Sequence, residues 1–133
     1  MEAALALQEK LQAATAEFQK MQTDLSGVVE ARQRLDAQLS ENELVKKEFS
    51  KLTPNNTVYK LIGPVLVPQD QGEAKGNVEK RLEFIRSDIK RVEGQLKEMG
   101  EKSEKKKLEI VEAQTSLQQM EQDLQKSGAV PAQ

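Results

Sequence analysis

Carboxylates and lysines are the most plentiful reactive groups in this chain, and their spacing decides what they can do. They interleave along the sequence, as in Glu43 to Lys47, Glu93 to Lys97 and Glu98 to Lys102. Groups four apart on a helix are neighbours on one face, so such pairs stabilise a solvated helix surface. Acid–base chemistry needs a pocket that shifts a pKa, and charges shared out this evenly imply none. Histidine and cysteine are both absent, which removes the commonest general base and metal ligand together with disulfides and thiol ligands. Gly72 and Gly76 have small-xxx-small spacing, but Glu73, Lys75 and the polar residues around them rule out a membrane dimer motif. No glycine leads into Lys-Ser or Lys-Thr at phosphate-loop spacing, and no dinucleotide fingerprint is present. The basic run Lys102, Lys105, Lys106, Lys107 is diluted by Glu101, Glu104 and Glu109 and has no stacking aromatics, so it reads as a solvated face rather than a nucleic-acid patch. The sequon Asn55-Asn56-Thr57 reads as a polar turn. No enzymatic activity, cofactor or metal is expected, and neither nucleic acid nor a membrane is an expected partner.

What remains is apolar recognition, and the densest apolar stretch lies mid-chain. Val58-Tyr59-Lys60-Leu61-Ile62 and Val65-Leu66-Val67 are rich in β-branched residues and flank Gly63-Pro64. Glycine at the first central position suits a type II′ turn, which matches strand twist in a tight hairpin. A two-residue turn sets Ile62 opposite Val65, Leu61 opposite Leu66 and Lys60 opposite Val67. Tyr59, Leu61 and Leu66 then share one face, while Val58, Ile62, Val65 and Val67 share the other with Lys60. A lone hairpin apolar on both sides is marginal in water and leaves sticky edges. Residues 58, 59 and 61 to 67 are therefore expected to be the assembly element, completed by strands of partner chains. The competing arrangement is a hairpin folded onto its own helices as a plug.

Two long helices position that insert. A first apolar seam runs through Leu7, Leu11, Ala14, Phe18, Met21, Leu25, Val28, Leu35, Leu39 and Phe49, with Arg32, Asn42 and Lys46 in its polar seats. A second runs through Val78, Leu82, Ile85, Ile89, Val92, Leu96, Met99, Ile110, Ala113, Leu117, Met120 and Leu124, with Ser103 and Lys106 in polar seats. A repeat averaging about 3.5 residues is the signature of a coiled coil. Charged residues form 32% of the chain and aromatics 3%, so there is little bulk to fill a thick core. The expected fold is mostly α: a long antiparallel two-helix coiled coil with one β-hairpin between the helices. The 133 residues are read as a single unit, with a first helix over about 3–52, the hairpin over 57–68, a second helix over 70–126 and a flexible tail over 127–133. Pro54 ends the first helix, and Asp70 with Glu73 forms a capping box for the second. Folding back is expected to bring Leu7 near Leu124 and Phe49 near Leu82. The polar seats either set the register or let the helices bend and splay.

The order helix, hydrophobic hairpin, helix, with Asn56-Thr-Val-Tyr-Lys-Leu-Ile-Gly-Pro-Val-Leu-Val67 at its centre, resembles a β-class prefoldin subunit. Arg34-Leu-Asp-Ala-Gln-Leu-Ser-Glu-Asn42 before the insert and Lys80-Arg-Leu-Glu-Phe-Ile85 after it carry the same likeness. The resemblance implies a heterohexamer of two α-class and four β-class subunits, in which hairpins build a β-barrel platform and coiled coils hang from it. It also implies ATP-independent capture of non-native proteins such as actin and tubulin and their delivery to the cytosolic group II chaperonin. Client contact is expected near the chain ends, at Leu5, Leu7, Leu11, Leu117, Met120 and Leu124, where splayed helices would offer flexible apolar groups. The plainer alternative is that these residues only close the end of the coiled coil. No basic segment followed by an apolar stretch opens the chain, and no run approaches ~18 consecutive apolar residues, so a cytoplasmic location is expected. A structural coiled-coil scaffold or tethering subunit explains the seams equally well but leaves the two-faced hairpin without a purpose.

Overall fold

A computed structural model of the chain describes residues 2–128. Its elements are α1 (Glu2–Ser50), β1 (Val58–Ile62), β2 (Val65–Gln69) and α2 (Gln71–Lys126). The strands pair antiparallel, with Ile62 opposite Val65, Leu61 opposite Leu66 and Val58 opposite Gln69. Gly63 has φ 58°, the left-handed geometry that a type II′ turn requires at this position. The first helix closes slightly ahead of the expected Leu52. The Lys51 and Leu52 amides reach back only to Glu48 and Phe49, and this tightening precedes the chain's turn at Pro54. At the start of α2 the Glu73 amide donates to Asp70 Oδ2 at 3.0 Å, so Asp70 is the N-cap. At its end Gly128 adopts φ 70° and its amide donates to the Gln125 carbonyl, a left-handed C-terminal stop. The expected tail beyond Gly128, residues 129–133, lies outside the described residues.

The chain divides into two compact units. One is Val29–Gly94 and holds the hairpin with the adjoining helical segments. Its core is the α2 seam: Ala74, Val78, Leu82, Ile85, Ile89 and Val92 are buried, Leu82 completely. The facing α1 residues Leu35, Leu39 and Phe49 are only half-buried, because two helices alone cannot enclose both sides of a seam. Ion pairs fix an antiparallel register: Arg32 Nη1 with Glu93 at 2.7 Å, Lys46 with Glu79 at 2.7 Å, and Arg86 with Glu43 at 3.5 Å. Arg81 approaches Asn42 Oδ1 at 3.5 Å, which sets the Leu82 turn beside Asn42. Phe49 shares a cavity wall with Ala74 and Val78, and the Lys46–Glu79 pair sets its level on α2 between one and two turns before the expected Leu82. The reason is local. The chain passes from β2 into α2 through Asp70 alone, so the first turns of α2 already occupy the level of the last turn of α1.

The other unit comprises the residues up to Val28 together with those from Gln95 onward. Here the buried seam residues are small: Ala14, Ser103 and Ala113. Leu11, Phe18, Met21, Leu96, Met99, Ile110 and Leu117 are half-buried. Gln22 Nε2 donates to Ser103 Oγ at 2.7 Å, and Lys106 meets Glu17 at 2.8 Å. Carried outward, this register brings Leu7 level with Leu117, about two turns short of the expected Leu124.

Candidate functional site

The hairpin is the first candidate surface, and its own chain leaves both faces open. Leu61 is 67% exposed and Leu66 61% on one face, while Ile62 is 55% and Val65 56% exposed on the other. Tyr59 and Val67 are also exposed, and Val58 is half-buried. A hairpin folded down as a plug would have buried one of these sets. Gly63 and Pro64 form the turn and are exposed too. The assembly residues read from the sequence thus lie together on one small apolar element.

The mount of the hairpin is specific. The seven-residue link from Lys51 to Thr57 is closed on itself: the Thr53 amide and hydroxyl both donate to Asn56 Oδ1, at 2.7 and 3.0 Å, and the Asn56 amide returns to the Thr53 carbonyl. Gln71 Nε2 then donates to the carbonyls of Thr53 and Asn56, at 2.8 and 2.7 Å, tying the first turn of α2 to this link. Asn56 and Gln71 were missed in the sequence reading. The turn chemistry of Asn56 was visible there, but nothing in spacing alone pairs an amide with a residue fifteen or more positions away. Beneath the strands a cavity of about 490 Å³ opens between Val58, Tyr59, Lys60, Phe49, Ala74 and Arg81.

The chain-end unit holds the second candidate surface. Leu5 stands off the seam and is 58% exposed. Leu7, Leu11, Leu117, Met120 and Leu124 are half-buried within it. The structure therefore brings these residues to the seam, where each keeps part of its apolar surface in water.

The polar seats of the seam all find partners. Lys106 is 19% exposed and bridges Glu17 at 2.8 Å and Glu109 at 3.0 Å. Hydrogen bonding to Glu17 and then to Glu109 holds the Lys106 ammonium above its ordinary pKa, and the same lysine holds the Glu17 carboxyl below the usual carboxylate value. Asn42 Nδ2 donates to the Gln38 carbonyl at 2.7 Å, a bond within its own helix. Of the intrahelical pairs expected from spacing, Glu98 with Lys102 forms at 3.1 Å. Glu43 and Glu93 instead cross to Arg86 and Arg32, because an opposing helix offers a guanidinium closer than the lysine one turn along. Among the described residues no cluster of acidic groups could hold a metal, and no helix is long and apolar enough to cross a membrane.

A family model described as prefoldin subunit matches residues 12–127 of this sequence. The chain belongs to the prefoldin family. Prefoldin subunit 6 of Homo sapiens is 42% identical over 126 residues, spanning 95% of this chain and 92% of its own. Prefoldin subunit 6 of Saccharomyces cerevisiae is 44% identical over 96 residues, spanning 72% of this chain and 84% of its own. Among solved structures, the prefoldin beta subunit from Thermococcus strain KS-1 superposes with a TM-score of 0.74 at 24% identity, covering 78% of this chain and 91% of that one, which speaks to the fold. Membership makes the chain a component of a prefoldin chaperone rather than an enzyme, and it implies association with other prefoldin subunits. The mostly α fold with one hairpin between two helices agrees with this prefoldin neighbour.

Proposed function

We propose that this prefoldin subunit works within a heterohexamer of two α-class and four β-class chains that captures non-native proteins without ATP. Actin and tubulin chains are the proposed clients, the cytosolic group II chaperonin is the proposed recipient, and the cytoplasm is the proposed site of action. The observation that carries this reading is the hairpin, apolar and exposed on both faces, with Leu61 67% and Ile62 55% exposed. Such an element gains by joining strands from sibling subunits, and a mutual platform of hairpins satisfies all of them at once. Residues Val58, Tyr59, Leu61, Ile62, Gly63, Pro64, Val65, Leu66 and Val67 are assigned to assembly on this ground.

Client capture is assigned to Leu5, Leu7, Leu11, Leu117, Met120 and Leu124. The support is a seam in which large side chains are half-buried while only Ala14, Ser103 and Ala113 are buried among the described residues of that unit. Side chains that already show apolar surface need little rearrangement to meet an exposed apolar segment of a client, and Met120 adapts readily to varied partners. The test removes residues 1–11 and those after Thr115. Complexes carrying the cut are expected to retain normal subunit composition while suppressing the aggregation of a denatured model protein less well. Matching cuts on sibling subunits should deepen the loss. Unchanged suppression with all arms shortened would move client binding elsewhere in the complex.

A further inference from the structure

We propose that the cavity beneath β1 selects which sibling subunit sits beside this one, by taking from that sibling an apolar side chain with a carboxylate next to it. This rests on the assembly reading above and adds a selecting site to it. Main-chain hydrogen bonds to a strand are open to any extended segment, so a choice among siblings has to come from side-chain pockets. The cavity of about 490 Å³ is of a size that holds a small ligand, and so also a pair of side chains. Val45, Phe49 and Val78 give it an apolar wall on the helix side, and β1 walls it on the other. Lys60 from the strand and Arg81 from α2 both line it, and no carboxylate does.

The charges of the hairpin unit are shared unequally between its two flanks. With the seam at heptad positions a and d, Glu43, Glu79, Arg86 and Glu93 all fall at e. The ion pairs that join the helices here, Arg32–Glu93, Lys46–Glu79 and Arg86–Glu43, therefore lie along one flank. Val45, Ala74 and Arg81 fall at g on the opposite flank, and the cavity opens there. Among the described residues neither Lys60 nor Arg81 is paired with a carboxylate, and Arg81 reaches only the side-chain oxygen of Asn42, at 3.5 Å. Two cations lining one apolar hollow thus lack a counter-charge. A partner's carboxylate supplies it, and the attraction strengthens as docking removes water. A sibling that brings a lysine or arginine to the same place is rejected by the same two groups. The occupant is a sibling because β1 both walls the cavity and belongs to the assembly surface, so a chain docked on the hairpin already stands at the opening.

Two measurements on complexes reconstituted with sibling subunits test this. In the first, a photo-crosslinking side chain replaces Val45 or Asn77, both in the cavity lining, and mass spectrometry identifies the linked peptide. The peptide is expected to come from one sibling and to carry an Asp or Glu beside an apolar residue. Links shared evenly among siblings, links to a client alone, or no link to any partner would each overturn the proposal. In the second, Lys60→Glu and Arg81→Glu are compared with Lys80→Glu, which makes the same charge change outside the cavity lining. Each competes with the unmodified chain for incorporation. The two cavity variants are expected to enter roughly tenfold less well than Lys80→Glu while their helical circular dichroism is unchanged. Replacing the sibling's cross-linked carboxylate by lysine should restore Arg81→Glu and disfavour the unmodified chain. Equal incorporation of the three variants, or no rescue by the swapped pair, sinks the idea. The double variant Leu61→Asp with Leu66→Asp distinguishes this from failure of the assembly reading. If it is excluded from the complex while Arg81→Glu enters freely, only the selecting site falls; if it is incorporated normally, the hairpin is not the assembly element.

Discussion

A lysine in a coiled-coil seam is tolerated when its ammonium can reach carboxylates at the flank, and Lys106 reaches two. The arrangement ties α1 to α2 through Glu17, whose carboxyl sits below its usual pKa because Lys106 hydrogen-bonds it. A depressed carboxyl pKa contributes stability that is present above the unfolded-state value and lost as pH falls through the folded-state value. The Glu17–Lys106 tie should thus weaken on acidification, below the ordinary glutamate range of about 4.3. Thermal unfolding followed between neutral pH and pH ~3 should show a smaller acid-induced drop in Glu17→Gln than in the unmodified chain. Equal drops would mean that the contact contributes nothing in solution, as holds for many exposed ion pairs.

At the scale of elements, the two stretches of seam differ in what they bury. Leu82 is completely enclosed, whereas Leu117 keeps part of its surface in water. Leu82→Ala is expected to cost about 2–5 kcal/mol and Leu117→Ala roughly 1–2 kcal/mol, measured by denaturant unfolding of assembled complexes. A larger cost at Leu117 would show that the chain-end seam is tighter than its exposure indicates. The elements themselves were legible in the sequence, each for a physical reason. Gly63-Pro64 admits few turns, and a two-residue turn dictates every facing pair of the hairpin. Asp70 beside Glu73 marked the start of α2 because a carboxylate there satisfies a free amide. The pairing across the helices was harder to read, since heptads fix which side of a helix faces inward but not which heptad meets which. Glu43 and Glu93 show the same limit: spacing pairs them with Lys47 and Lys97, and only the opposing helix reveals Arg86 and Arg32. The functional roles of the hairpin and chain-end residues were inferred from exposed apolar chemistry, which says that a partner is needed but does not name it.

For the molecule as a whole, the consequence of an unpartnered hairpin is dependence on siblings. Expressed alone, the chain should be strongly helical by circular dichroism yet polydisperse in sedimentation velocity, as hairpins of like copies pair imperfectly. Adding sibling subunits should replace the distribution with one species. A single sharp monomer boundary for the isolated chain would contradict this, because it would mean the exposed strands tolerate water unaided.

The register also carries a timetable. Contacts near the hairpin join residues close in sequence, such as Arg81 and Asn42 at a separation of 39, whereas Gln22 and Ser103 are 81 apart. Each doubling of the intervening chain adds about 0.6 kcal/mol of closure entropy when a contact forms first, but almost none once its inner neighbours are in place. Folding should therefore begin at the Gly63-Pro64 turn and the Leu82 seam and close like a zipper towards the termini. During synthesis, α1 must wait as an unpaired helix until α2 begins to emerge. If kinetics of the two alanine variants showed Leu117 to be structured in the folding transition state and Leu82 not, the closing order would be reversed.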